Sequence, residues 1–465
     1  MAKARIGLIG LGTMGSALAL NIAEKGFGIA VFNRTPQVTR DFLAGAGDLA
    51  GRITATESLA DLVAAIESPR AIILMVPAGE AVDQQIAALA PLLGGDDLVI
   101  DAGNANFHDT NRRAASDLPM RFLGMGVSGG EDGARHGPSI MGGGAPKDWD
   151  RVAPVLRAIA ARAEDRSPCA AWMGPAGAGH FVKAVHNGIE YADMQMIAES
   201  YGLMRDGMGL SAAAIATILG HWNDGPLQSY LIEISARVAS ATDPHGGGPI
   251  LDAILDKAGQ KGTGRWTAIE AQHLAAPVNV IEAAVMARNI SARLTERQQT
   301  EARFGAAPQP LSIDEDVLKR ALIAGKILCY AQGFAMIASA SAAFGWSLPL
   351  PGIARVWRAG CIIRSAMLND MAEALTENPD RNLIMAPHFA ALLDESIPAL
   401  RLVAGQGLAQ GHPLAALASG LIWFDMMRTS RGTANMIQAQ RDFFGAHGFQ
   451  RLDGIDDPHG PWGAS

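Results

Sequence analysis

A chain of 465 residues is longer than one ordinary hydrophobic core can organise, and its 49% hydrophobic content supplies material for two. A formal net charge of −8 excludes the broad cationic footprint of a nucleic-acid binder or a basic membrane-surface protein, so no nucleic-acid or membrane partner is expected. Cys169, Cys329 and Cys361 are odd in number and widely spaced, which suits reduced thiols in a cytoplasmic protein and argues against a disulfide framework or a zinc site.

From Ala4 to about Met173, the runs RIGLIG, GIAVFN, AIILMV, DLVIDAGN and RFLGMGVSG alternate with helical patterns such as SALALNIAEKG. That alternation predicts an α/β Rossmann-type N-terminal domain, residues 1–178, with a parallel sheet and crossover helices. Met1 leads directly into the first strand pattern, and no targeting segment is expected. The run GPAGAGH, 174–180, reads as a hinge. Beyond it strand signals nearly vanish, predicting a large all-α domain over 179–433. The stretch Ile327 to Trp346 has the length of a membrane span, but glycines and polar residues dilute it, and a helix buried all round within the helical domain is expected. Residues 434–465 are rich in Gly and Pro after one helical pattern, a C-terminal tail that has to dock elsewhere or fray.

Gly10, Gly12 and Gly15 form G-x-G-x-x-G directly after the first strand, with Leu11, Thr13 and Met14 between them. Such glycines allow a tight turn, close approach of backbone to a pyrophosphate and close helix packing, and the helix start offers free N–H groups to phosphate. At the end of the second strand, Asn33, Arg34 and Thr35 stand where an NAD site would carry an acid. A guanidinium suits a ribose 2′-phosphate, so NADP is the expected cofactor.

The loops DAGNAN, 101–106, and VSGGEDGAR, 127–135, follow the fourth and fifth strand patterns and should border the nicotinamide end. Ser128, Gly129 and Gly130 offer a hydroxyl and open backbone N–H groups to a carboxylate, although ordinary turn chemistry accounts for them equally. Past the hinge, Lys183, His186, Asn187, Glu190 and Tyr191 share one helix face, beside an apolar stripe of Val182, Val185 and Ile189. Lys183 and Glu190 are two turns apart, about 10 Å, which can bracket a sugar acid between a base and an acid. The competing reading is a solvated face of i, i+4 polar pairs. Lys261, Thr263, Arg288, Arg441 and His447 are further candidates for an anionic group, each by itself also a surface residue. Lys326, Cys329, Tyr330, Gly333 and Phe334 repeat the spacing of the polar face; if duplication is the origin, the second copy has lost the His, Asn and Glu.

Taken together, GLIGLGTMG, NRT, DAGN, VSGGEDGARHGPSIMGGG, GAGHFVKAVHNGIEYADMQ, AGQKGTGRWTA, WRAGCIIRS and QAQRDFFGAHGF closely resemble the decarboxylating 6-phosphogluconate dehydrogenases. The resemblance implies oxidative decarboxylation of 6-phosphogluconate to ribulose 5-phosphate and CO2 with NADP, without a metal. It implies Lys183 as general base and Glu190 as general acid. Asn104, Ser128, Gly129, Gly130, His186 and Asn187 would hold the carboxylate and hydroxyls, and Tyr191, Lys261, Thr263, Arg288, Arg441 and His447 the phosphate. Val76, Pro77, Ala78 and Asn104 would line the cofactor. The last two phosphate ligands would come from the tail of a second subunit, giving a homodimer with composite sites. Val38 and Pro77 stand where many family members carry lysine, which loosens the expected preference for NADP over NAD. The alternatives are a shorter-chain β-hydroxyacid dehydrogenase of the 3-hydroxyisobutyrate type, which needs no phosphate-binding set, and a catalytically silent NADP-binding protein, which has no reason to keep Lys183 with Glu190.

Overall fold

The short apolar runs near the N-terminus become strands because each is covered on both faces. Ile6, Leu8, Ile29, Val31, Ile72, Leu74, Val99 and Ile100 are almost wholly buried, as in a sheet flanked by helices on both sides. The computed structural model describes residues 3–462. Its eight strands are β1 (Ile6–Ile9), β2 (Ile29–Phe32), β3 (Ile53–Ala55), β4 (Ala71–Leu74), β5 (Leu98–Asp101), β6 (Arg121–Ser128), β7 (Ser139–Gly142) and β8 (Ala170–Trp172), in the order β3-β2-β1-β4-β5-β6-β7-β8. Neighbours from β3 through β6 are parallel.

The expected parallel sheet is extended at its far edge by two further strands that sequence patterning did not show. β7 runs antiparallel to β6, with Ser128 opposite Ser139, and β8 then runs parallel to β7. The link between β6 and β7, residues 129–138, is shorter than the dozen or so residues a parallel crossover takes, and its one short helix, Gly130–His136, turns the chain straight back.

Glycines on β6 set how closely the next layer approaches. A Cβ at Gly126 would lie 2.4 Å from Lys183 Cβ, and one at Gly124 would lie 2.4 Å from Thr110 Cγ2. The long helix Ala178–Gly202 therefore rests against the strand backbone. Its apolar stripe, Val182, Val185 and Ile189, is buried toward a second long helix, Glu315–Phe344, where a Cβ at Gly333 would meet Ile189 Cδ1 at 2.7 Å.

Glu315–Phe344 is the one helix long and apolar enough to cross a membrane among the described residues, and 89% of its most apolar window is buried by other parts of the chain. Lys326, the lysine of the sequence echo, sits wholly inside, where its Nζ donates to Asp193 Oδ2 at 2.9 Å and to Ser229 Oγ at 3.3 Å. The echo thus has a structural use: it pins the two long helices together through a buried ion pair. Glu199, near the end of the first long helix, accepts from the Ala416 and Leu417 amides at 2.8 and 2.9 Å, satisfying free N–H groups at the start of helix Ala415–Met427. Burial pushes its carboxyl up to about 7 against those hydrogen bonds.

The last helix, Ala434–Gly445, leads into a tail ordered by polar contacts. Asp442 accepts from the Gly448 amide at 2.9 Å, the Gly460 amide at 2.9 Å and Trp462 Nε1 at 2.6 Å, and faces His459 Nδ1 at 2.7 Å. Met436, Ile437, Phe443 and Phe444 remain exposed, so among the described residues the tail buries no apolar core of its own.

Candidate active site

The glycine loop has three distinct stereochemical jobs. Gly10 has φ +101°, and a Cβ there would lie 2.4 Å from Met75 O; a Cβ at Gly15 would lie 1.8 Å from Gly10 O. Both positions are closed by backbone. A Cβ at Gly12 would meet no atom within 4 Å, so this glycine keeps space open on the ligand side. Helix Thr13–Glu24 starts there without a side-chain cap, leaving its first N–H groups to an incoming anion.

Asn33 ties the end of β2 to that loop by accepting the Leu11 amide at 3.0 Å, while its own amide donates to Thr39 Oγ1 at 3.1 Å. Arg34 and Thr35 are exposed beside it, and among the described residues Arg34 makes no hydrogen bond or ion pair. Val38 is exposed on the same rim, and Pro77 and Ala78 are exposed after β4 with Val76 half-buried below them.

The loops after β4 and β5 are fastened by Arg113, which sequence reading overlooked. Buried on helix Phe107–Ala115, its guanidinium donates to Asp83 at 2.9 and 3.0 Å, to Gly79 O at 2.9 Å and to Asp101 Oδ2 at 3.4 Å. The same contact holds the Asp83 carboxyl down to about 2. Asp101 Oδ1 accepts the Gly103 amide at 3.1 Å, which shapes the turn that exposes Asn104.

The five polar residues of the Ala178–Gly202 helix do not form a solvated face. Lys183, His186, Asn187 and Tyr191 are buried, and Glu190 is half-buried. Lys183 Nζ donates to Asn187 Oδ1 at 2.7 Å, His186 Nδ1 lies 2.9 Å from the same oxygen, and Asn187 Nδ2 donates to Thr263 Oγ1 at 2.9 Å. Ser128 Oγ reaches His186 Nε2 at 3.3 Å, joining the end of β6 to this network. Gly129 and Gly130 follow with φ of +122° and +64°. A Cβ at Gly129 would lie 2.5 Å from Gly360 O, whereas Gly130 faces open space.

Burial moves both ends of the helix face toward neutrality. Desolvation lowers the Lys183 pKa against the pull of Glu190, and raises that of Glu190 against Lys183 and Arg288. His186 is held well below its usual range by burial, then by the Lys183 charge. Glu190 Oε2 lies 4.0 Å from His186 Nδ1. Tyr191 carries the Arg288 guanidinium over its ring at 3.5 Å, and Arg288 also donates to Gly259 O at 3.0 Å. Lys261 is exposed in the loop before Thr263.

Ser128, Lys183, His186, Asn187, Glu190, Tyr191, Thr263 and Arg288 thus come together within one chain. Arg441 and His447 do not: both are exposed on the tail, and among the described residues no hydrogen bond or ion pair joins them to this cluster. Two neighbours of the cluster come from the WRAGCIIRS motif, to which no site role was attached in the sequence. Trp357 packs its ring edge to face against His186 at 5.7 Å. The Cys361 thiol, donating to Trp357 O at 3.0 Å, is pushed up to about 12 by burial and is no ready nucleophile.

Residues 5–174 match the family model described as the NAD binding domain of 6-phosphogluconate dehydrogenase, and residues 179–462 match its C-terminal domain. The chain is 44% identical to the decarboxylating 6-phosphogluconate dehydrogenase of Chlamydia pneumoniae, over 97% of this chain and 95% of that one. It is also 44% identical to the 6-phosphogluconate dehydrogenase, NADP(+)-dependent, decarboxylating, of Bacillus subtilis, over 99% and 100%. Among solved structures, the 6-phosphogluconate dehydrogenase of Plasmodium falciparum, studied in its apo form and in complexes with NADP+ and 6-phosphogluconate, superposes with a TM-score of 0.94 at 37% identity, covering 98% of this chain and 100% of that one.

Proposed function

The chain belongs to the 6-phosphogluconate dehydrogenase family, and from that premise we propose that it oxidatively decarboxylates 6-phospho-D-gluconate to D-ribulose 5-phosphate and CO2 with reduction of NADP. The observation that carries the mechanism is that buried Lys183 and half-buried Glu190 share one face of a single helix, with Lys183 Nζ held by Asn187; desolvation favours the neutral form of each, in which a lysine can take a proton and a carboxyl can give one.

NADP, when bound, accepts the hydride leaving C3 of the substrate. The residues present fit it: open space at Gly12, uncapped N–H groups at the start of the following helix, and for the 2′-phosphate Arg34, which has no partner among the described residues. Asn33, Thr35, Val76, Pro77, Ala78 and Asn104 would line the same cofactor.

Lys183 takes the proton of the 3-hydroxyl as C3 is oxidised. The 3-keto acid then loses CO2 while protonated Lys183 donates to the ketone oxygen, which draws in the electrons of the breaking C–C bond. Glu190 delivers a proton to C1 of the resulting enediol. Asn104, Ser128, Gly129, Gly130, His186 and Asn187 hold the carboxylate and hydroxyls, and His186, kept neutral, can both donate and accept. Tyr191, Lys261, Thr263 and Arg288 hold the phosphate, with the partner's Arg441 and the partner's His447. The apolar residues left exposed on the tail among the described residues support a homodimer in which the partner covers them. In this reading residues 1–178 bind cofactor, 179–433 bind substrate and dimerise, and 434–465 dock on the partner.

The test is kinetic. Lys183→Met should lose about 100-fold to 10,000-fold in kcat, the usual worth of a positioned base, and near-normal turnover would refute the assignment. Arg34→Ala should raise KM for NADP about tenfold or more through loss of a charge-assisted contact; an unchanged NADP-to-NAD preference would remove Arg34 from the cofactor site.

A further inference from the structure

The proposed reaction makes no use of His108, Glu270 and His273, which meet where the sheet and the helical part adjoin. His108 stands at the start of helix Phe107–Ala115, just beyond the β5 loop, its amide donating to Asn106 Oδ1 at 3.0 Å. Glu270 and His273 are three apart on helix Thr263–His273, so one turn presents both on the same side. His108 Nε2 lies 2.8 Å and His273 Nδ1 3.2 Å from Glu270 Oε2, and the three donor atoms all fall within 4.8 Å of one another. Glu270 is 5% exposed, and among the described residues no lysine or arginine reaches it.

We infer that these three side chains form a binding site for a divalent transition cation, Zn2+ foremost, with its remaining position open to water. Two imidazoles and a carboxylate form the three-ligand set of open four-coordinate zinc sites, whereas Mg2+ and Ca2+ favour all-oxygen sets. The spacing lies within reach of a bound ion, all three donor atoms falling within 4.8 Å of one another. Ligands bonded at about 2.1 Å around a tetrahedral ion stand about 3.4 Å apart. The His273 contact at 3.2 Å is already there, and the His108 contact at 2.8 Å has to open by about 0.6 Å. Both imidazoles have room to make that adjustment, with side chains 53% and 64% exposed. Among the described residues the two rings are the side-chain partners of this buried carboxylate.

The bridge would span two parts of the catalytic cleft. His108 is continuous with the loop carrying Asn104, and the helix bearing Glu270 begins at Thr263, the partner of Asn187. A bound cation would restrain their relative motion and slow turnover. That consequence rests on the proposed reaction; cation binding itself does not.

The experiment takes the full-length protein, stripped by chelator and dialysed, and titrates it with zinc chloride by calorimetry and with cobalt chloride by visible absorption. One ion per chain and a four-coordinate cobalt spectrum are expected. Glu270→Gln and His273→Ala should each weaken binding by about tenfold or more and abolish the spectrum, with the metal-free melting temperature reporting that the variants are folded. Absence of saturable binding to the parent protein, or binding and spectrum unchanged in both variants, overturns the site. Zinc should inhibit the parent enzyme and spare Glu270→Gln; equal inhibition of both overturns the restraint on the cleft while leaving binding to be judged by the titrations.

Discussion

Replacing Gly126 by alanine should uncouple catalysis from folding and cofactor binding. Gly126 lies on β6 opposite Met141 of β7, and β6 is also paired to β5, so the strand cannot recede. Its backbone has no positive φ, and alanine is tolerated there on conformational grounds. The added Cβ would nevertheless stand 2.4 Å from Lys183 Cβ and 2.8 Å from Lys183 Cγ. Ordinary contact begins near 3.4 Å, so the helix has to move out by about 1 Å at the proposed base. Lys183 Cβ is fixed to the helix backbone, so rotation of the side chain cannot relieve the clash. A misplacement of about 1 Å at reacting groups costs about 100-fold in rate, or about 2.7 kcal/mol of barrier, while overpacking of this kind costs about 1–3 kcal/mol of stability. The assay is steady-state kcat with 6-phosphogluconate, alongside NADP affinity by fluorescence and a thermal melt. A folded variant binding NADP normally with kcat reduced about 100-fold is expected. A kcat within about twofold of the parent would refute the claim that close strand-to-helix packing positions Lys183.

Gly12→Ala is the converse case: the new Cβ meets nothing in the protein, so the melting temperature should hold while NADP affinity falls about tenfold or more, and unaltered affinity would show that the open space is not the pyrophosphate site. Lys326→Met leaves Asp193 buried without its counter-charge and should cost about 3–5 kcal/mol, most of it recovered when Asp193→Leu is added; a melting curve superimposable on the parent's would contradict the pinning role. The pH profile separates acid from base. In the proposed mechanism activity requires protonated Glu190, whose pKa is raised above 4.5, so it declines as pH rises through that raised value, and Glu190→Gln should remove this alkaline limb as it lowers the maximal rate. Activity also requires neutral Lys183, whose pKa is lowered from 10.5, so the acid limb should lie below that value and persist in Glu190→Gln; an alkaline limb unmoved in Glu190→Gln would exclude Glu190 as the acid.

What was legible in the sequence was what local periodicity carries. The glycine loop announces itself because strand, turn and helix follow one another directly, and the Lys183 face because helical pitch alone places five residues on one side. Arg113, Asp193 and Glu199 were missed because their meaning lies in partners brought by folding: Glu199 caps a helix 217 residues away, and His108 meets Glu270 across 162. The edge strands β7 and β8 were missed for a different reason, since SIMG and AAW are short and carry one β-branched residue between them. Lys326 shows how a pattern can mislead. Its spacing echoes the Lys183 helix face, but a lysine with Asp193 beside it is an internal fastener.

The central claim is that one helix face both oxidises and decarboxylates. Supplying 6-phosphogluconate with NADP and measuring CO2 and NADPH together tests it most directly. The account predicts one CO2 for each NADPH from the parent enzyme and loss of both products in Lys183→Met. NADPH formed without CO2 would contradict it.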